Sequence, residues 1–218
     1  MEKHSNLLKR FASGDLDTFS ALKTLKVLLK DIGDENLIKW VNCEINGYDI
    51  KDPNIPAYRK TQGYVEGSIA TRGAIYHNQC IPTHCVPEEL LENLLTASFE
   101  CGVMALETLV EQNNGALIKP VTVDYYPYFF KALGHQSIAQ INVRFDDTVP
   151  ANILSCIENR ILDIFYLLEQ QGCDLDEMNV ANVKNTNIVA TINQLIYSDN
   201  HITIGDGNEF AKTTLQTH

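Results

Sequence analysis

A carboxylate lies on the apolar face of a predicted helix, and an arginine follows it in the next loop. Glu44 shares a helical stripe, spaced by three and four residues, with Leu37, Trp40, Val41, Ile45 and Tyr48. A buried carboxylate requires a partner, and Arg59 offers a planar guanidinium that suits such pairing. The spacing therefore predicts a polar cluster between this helix and the loop that follows it.

We expect three further polar side chains to join this pair, namely Tyr48, Tyr58 and Arg160. One interpretation is a polar pocket that holds a small anionic ligand or a peptide. The other, which we favour, is an internal ion pair that fixes the loop to the helix. Removing one partner of such a pair costs roughly 3–5 kcal/mol. A hydrolase that uses these residues is an alternative, but no catalytic signature accompanies them.

A second set of reactive side chains has spacings that could suit a metal, and it consists of His77, Cys80, His84 and Cys85. Structural zinc sites use four such donors in a tetrahedron, commonly with a C-x-x-C pair. No such pair is present, and Pro82 constrains the path between the donors. We therefore predict neither a metal nor a cofactor. Cysteine catalysis by Cys80 or Cys85 with a nearby histidine also lacks a local signature.

Two further segments have simple structural interpretations. The aromatic run from Tyr125 to Phe130 is typical of core packing or of a partner surface, because only Lys131 supplies positive charge beside it. Gly205-Asp206-Gly207-Asn208 has neither the spacing of an EF-hand nor the lysine of a phosphate loop. We interpret it as a turn.

The composition is that of an acidic globular protein. The chain has 218 residues, with 28 acidic residues, 17 basic residues and a formal net charge of −11. This charge disfavours binding to nucleic acid or to an anionic membrane. The N-terminal residues lack the profile of a signal peptide, and no apolar run reaches membrane-spanning length. We therefore expect a cytoplasmic protein whose six cysteines are mostly free thiols.

Helical periodicity dominates the first 47 residues, where helices are predicted near residues 6–12, 15–32 and 34–46. β-Forming residues then predict strands at Tyr64–Thr71, Ala74–His77, Val121–Val123 and Ser137–Phe145, with a hairpin turn at Thr71-Arg72-Gly73. Two long helices are predicted, from Pro87 to about Glu111 and from Pro150 to about Gly172. The predicted fold class is α+β, with about five helices around a small antiparallel sheet.

The C-terminal region differs in composition from the rest. We predict a domain over residues 1–172, a polar acidic linker over 173–187 and a β-rich appendage over 188–218. Exposed strands pair readily with other strands, so the appendage is a candidate for self-assembly. The apolar residues expected to form this contact are Ile188, Ile192, Ile202 and Ile204.

Two motifs of the sequence occur together. The first runs from Trp40 to Gly67 and contains WVNCEINGY and then PAYR. The second runs from Val149 to Asp163 and contains VP and then IENRILD. Over about residues 5–172 the chain resembles the AbiTii domain, a family of prokaryotic abortive-infection proteins.

This resemblance implies a bacterial protein that limits phage infection, but it implies no defined reaction. We therefore expect a homo-oligomer that acts through binding and self-assembly, with a phage or host protein as partner. The alternatives are a toxic hydrolase that uses the cluster around Glu44 and Arg59, and an accessory regulator of another defence protein.

Overall fold

The computed structural model describes residues 4–50, 52–112, 117–133, 137–180 and 186–197. The chain begins with three helices, α1 (Asn6–Ala12), α2 (Thr18–Ile32) and α3 (Glu35–Asn46). Their N-termini are capped by the side chains of Ser5, Asp17 and Asp34, which accept hydrogen bonds from backbone N–H groups. Gly33 ends α2 in the left-handed conformation, with φ of 85°. The predicted three-helix unit is therefore confirmed.

The strands form two antiparallel sheets. They are β1 (Lys60–Gln62), β2 (Tyr64–Thr71), β3 (Ala74–Cys80), β4 (Thr96–Ser98), β5 (Leu117–Pro120) and β6 (Ser137–Phe145). β1 pairs with β4, and the larger sheet has the order β3-β2-β6-β5. The predicted hairpin is confirmed, since Arg72 and Gly73 both have positive φ, as a two-residue type I′ turn requires.

The predicted strand at Val121–Val123 is wrong in its position. β5 ends at Pro120, and Val123–Tyr125 forms a single turn of 3-10 helix that leads into α6 (Tyr126–Leu133). Val121 keeps one hydrogen bond to β6, from its N–H to the carbonyl oxygen of Ile141 at 3.2 Å. The strand signal was thus displaced by a few residues.

The single helix predicted from Pro87 to Glu111 is also wrong. The segment forms α4 (Glu88–Leu95) and α5 (Val103–Gln112), with β4 between them. Pairing with β1 removes Thr96–Ser98 from the helix. Gly102 then packs so closely against α3 that a Cβ there would lie 2.4 Å from the carbonyl oxygen of Ile45. Tertiary contacts therefore override the local helical preference.

The remaining helices are α7 (Val149–Gln170), which confirms the second long prediction, and α8 (Thr186–Tyr197). The β-rich appendage predicted over 188–218 is wrong for residues 188–197, because this segment belongs to α8. Residues 198–218 of the predicted appendage lie outside the described residues. Likewise, residues 173–180 are not a free linker, since Cys173, Leu175 and Val180 are buried.

Two hydrophobic cores hold the chain together. The larger core joins α1, α2, α3, α5, α7 and α8, and the smaller core joins the four-stranded sheet to α4 and α6. The fold class is therefore α+β, as predicted, although the helices outnumber the expected five. Within the described ranges, no helix is long and apolar enough to cross a membrane.

Candidate functional site

The helix α3 carries Glu44 into the interior of the protein. Its buried stripe consists of Leu37, Trp40, Val41 and Glu44, as the sequence spacing predicts. Gly47, with φ of 96°, ends the helix directly after this stripe. The side chain of Glu44 is 0% exposed to solvent. A charged carboxylate in this position requires internal partners.

Arg59 is the main partner of Glu44. It ends a 3-10 turn, Ala57–Arg59, and its side chain is also 0% exposed. The Arg59 Nε donates to both Glu44 oxygens at 3.2 Å, while Nη2 donates to Oε2. Nη1 donates to the carbonyl oxygens of Phe99 at 2.7 Å and Cys101 at 2.8 Å. One guanidinium thus joins α3, the loop and the segment before α5.

Two tyrosines complete the shell of the carboxylate. The hydroxyl groups of Tyr48 and Tyr58 each donate to Glu44 Oε1 at 2.6 Å. Trp40 Nε1 in turn donates to the Tyr58 hydroxyl at 3.0 Å. Glu44 Oε1 therefore accepts from Tyr48, Tyr58 and Arg59, and such charge-assisted hydrogen bonds are how buried charges are usually accommodated.

Burial controls the ionisation of this cluster. Desolvation, followed by the charge of Glu44, raises the pKa of Tyr48 and of Tyr58 well above the usual value. Burial alone would lower the pKa of Arg59, but the Glu44 carboxylate outweighs it and the pKa is raised. Both tyrosines therefore remain donors at neutral pH, and Arg59 remains charged.

Arg160 extends the cluster to α8. Its guanidinium lies 4.1 Å from the centroid of the Tyr58 ring, a cation–π contact. Its Nε donates to the carbonyl oxygen of Ile196 in α8 at 3.1 Å, and Nη1 donates to the carbonyl oxygen of Cys156 in α7. A cation near the last carbonyl groups of a helix also complements the helix dipole.

The structure thus brings together all five residues predicted for this cluster, which are Glu44, Tyr48, Tyr58, Arg59 and Arg160. The first four bond to one another, and Arg160 stacks on the Tyr58 ring. The two arginines also donate to backbone carbonyls of three separate segments, which are the segment before α5, α7 and α8. Neither the carboxylate nor the guanidinium of the central pair reaches solvent. This geometry favours the internal ion pair over a ligand pocket.

The sequence model of the AbiTii family matches residues 5–193 of this chain. The chain belongs to the AbiTii family. The match continues beyond the residues that carry the resemblance and includes most of α8. No curated protein and no solved structure matches the chain. Membership in the AbiTii family implies a role in abortive-infection defence against phage.

A groove of about 580 Å³ opens elsewhere on this AbiTii protein. Three segments line it. The α1–α2 loop contributes Asp17, α5 contributes Glu107 and α7 contributes Glu158. Burial, followed by the charges of Asp17 and Glu158, raises the pKa of Glu107. Sequence reasoning missed this groove because its walls come from three distant segments.

The other candidate residues have separate positions in the AbiTii fold. His77 and Cys80 lie on β3, while His84 and Cys85 lie in the loop before α4. Within the described ranges, no group of His, Cys, Asp or Glu side chains is placed to hold a metal ion. In the aromatic run, Phe129 is buried in the smaller core, whereas Phe130 is 46% exposed.

Two of the four residues predicted to form an oligomer contact, Ile188 and Ile192, are buried in this AbiTii protein. Ile188 and Ile192 are 5% and 0% exposed and pack into the larger core as part of α8. Their assignment to an exposed strand was therefore wrong. Ile202 and Ile204, the other two candidates, lie outside the described residues.

Proposed function

We propose that this AbiTii protein limits phage infection in the cytoplasm by binding and self-assembly, with a phage or host protein as partner. The family match over residues 5–193 supports the defence role. The enclosure of the Glu44–Arg59 pair, whose side chains are 0% exposed, supports binding rather than catalysis at this cluster. A cluster without access to solvent cannot receive a substrate in this conformation. Function is therefore assigned to surfaces, and the cluster to the positioning of the elements that carry them.

The energetic role of the cluster follows from its contacts. Hydrogen bonds join α3, the 57–59 turn and the segment before α5. The cation–π contact of Arg160 with Tyr58 adds α7, and the hydrogen bond from Arg160 to Ile196 adds α8. Buried pairs of this kind add little net stability compared with apolar packing, but they specify geometry, and losing one partner is costly. The cluster fixes how the N-terminal helices pack against α8.

The test distinguishes a structural role of the cluster from a catalytic role by removing one hydroxyl group at a time. Tyr48→Phe removes a donor to Glu44 and keeps the ring, whereas Tyr64→Phe makes the same change at a site that is 50% exposed. Both variants are expressed in a bacterial host and challenged with a panel of phages. Plating efficiency is compared with the free energy of unfolding of each purified variant.

We expect the wild type to reduce plating and Tyr64→Phe to match it. Tyr48→Phe should lose about 1–3 kcal/mol of stability, because Glu44 is left short of a donor. The protection against phage that Tyr48→Phe gives should fall only in proportion to the fraction of the variant that is folded. Full folding with complete loss of protection would contradict the proposal and support a hydrolase. Unreduced plating by the wild type across the panel would contradict the defence role in this host.

A further inference from the structure

The first helix, α1, buries few of its side chains. Leu8 is the one buried residue among its seven, whereas α2 buries six of its fifteen residues. The ring of Phe11 packs edge-on against Phe165 of α7, with the ring centroids 6.0 Å apart. Segments with few buried apolar contacts open at a lower free energy than the rest of a domain. Apolar packing therefore resists the separation of α1 from α7 only weakly.

Two carboxylates supply polar contacts at the N-terminal end of α1. Asp176 accepts from the N–H groups of Asn6 and Leu7, both at 2.9 Å. Glu169 of α7 accepts from the N–H of Ser5. Asp176 is exposed to solvent, so water competes for its oxygens and each hydrogen bond contributes modestly to stability. The attachment of α1 at this end therefore depends on two side chains from the C-terminal third of the chain.

The opposite end of α1 leads into a loop that is not packed at Gly14. This glycine has φ of 81°, and a Cβ there would have no neighbouring atom within 4 Å. The loop can therefore change direction at Gly14 without displacing a packed side chain. Phe11 at the end of α1 and Leu16 in the loop line the groove of about 580 Å³, together with Leu162 of α7. A movement of α1 away from α7 would therefore widen this groove.

We propose that α1 is a strap that separates from α7 while the rest of the fold stays closed. The contacts to Glu169 and Asp176 hold the strap shut, and the loop at Gly14 is its hinge. A seven-residue helix is not stable by itself in water, so α1 unfolds when it separates. The open state uncovers the ring of Phe165, which is 0% exposed in the closed state, beside the widened groove.

The closed and open states of the strap differ in the apolar surface that they expose. A molecule that binds the open state more tightly than the closed state would shift the population towards it, by as much as the two affinities differ. The strap is therefore a conformational device that can be regulated by binding. It goes beyond the proposed function and does not depend on it.

Amide hydrogen exchange of the full chain, resolved by residue with NMR in water and at low urea concentrations, tests the strap. Lys9 and Ser13 report on α1, because their N–H groups donate to the carbonyl oxygens of Ser5 and Lys9. Leu25, which is buried in α2, reports on the rest of the fold. Lys9 and Ser13 should be protected at least about tenfold less than Leu25, and urea should change their protection little, because opening exposes little surface. One shared protection and one shared dependence on urea would overturn the proposal, since α1 would then separate only in global unfolding.

Two aspartate-to-asparagine variants test the contacts that hold the strap shut. Asp176→Asn removes the charge that accepts both N–H groups of α1, and Asp163→Asn makes the same change at an exposed position of α7. The protection of Lys9 and Ser13 should fall about tenfold in Asp176→Asn, because hydrogen bonds to a charged acceptor are lost. It should keep the wild-type value in Asp163→Asn. Equal protection of α1 in the two variants would overturn the proposal that Asp176 holds the strap shut.

Discussion

At the scale of single residues, Glu44 and Arg59 show how a buried charge is retained in a core. The carboxylate accepts from Arg59, Tyr48 and Tyr58, and each donor comes from a different point of the chain. The arginine also binds the carbonyl oxygens of Phe99 and Cys101. The planar fork of arginine allows these bonds simultaneously, whereas a lysine ammonium could not span them.

Arg59→Ala should lower the free energy of unfolding by about 3–5 kcal/mol, because Glu44 remains buried without its charged partner. Arg10→Ala on α1 is the matched control, since the side chain of Arg10 is exposed. A surface substitution of this kind changes stability by about 0.5 kcal/mol or less. Urea unfolding of both variants measures the difference. Equal, small losses would show that the buried pair is dispensable for stability.

At the scale of elements, α8 changes the interpretation of the C-terminal region. Its apolar residues Ile188, Ile192 and Ile196 recur at a spacing of four and pack into the larger core. Arg160 anchors the helix, because its Nε donates to the carbonyl oxygen of Ile196. The helix is therefore part of the packed domain.

Ile192→Ala tests this placement of α8. The side chain is 0% exposed, so its truncation should cost about 2–5 kcal/mol of unfolding free energy. Val27→Ala on α2 removes an aliphatic side chain that is 45% exposed and should cost about 0.5 kcal/mol or less. Thermal and urea unfolding measure both variants. A loss at Ile192 no larger than that at Val27 would contradict burial of α8.

At the scale of the whole molecule, carboxylates join the start of the chain to its C-terminal third. Asp176 accepts from the backbone N–H groups of Asn6 and Leu7, both at 2.9 Å. Glu169 accepts from the N–H of Ser5 and contacts the His4 ring. Hydrogen bonds from Asn6 and Leu7 lower the pKa of Asp176. These contacts secure α1 against the end of α7.

This arrangement predicts a dependence of stability on pH. Because the folded pKa of Asp176 is lowered, its contribution is fully present above the unfolded value of about 3.9 and is lost as pH falls through the folded pKa. Asp176→Ala should therefore be less stable than the wild type at pH 7, with the difference shrinking below about pH 4. Urea unfolding across this range measures it. A difference that stays constant with pH would contradict the proposed role of the charge.

The sequence alone was sufficient for features that depend on local pattern and chemistry. The cap at Asp34, the Arg72-Gly73 turn and the buried stripe of α3 follow from residue type and spacing. The pairing of Glu44 with Arg59 also followed, because a carboxylate on an apolar face requires a nearby cation. The AbiTii family was recognised from the same residues.

The tertiary structure decided the features that depend on distant partners. Thr96–Ser98 is a strand because it pairs with β1. Ile188–Tyr197 is helical because its apolar residues pack into the larger core and Arg160 donates to the carbonyl oxygen of Ile196. The acidic groove also requires three separate segments to meet. Short apolar runs fit helix and strand equally well from periodicity alone. In each case, contacts between segments that are distant in the sequence determined the structure.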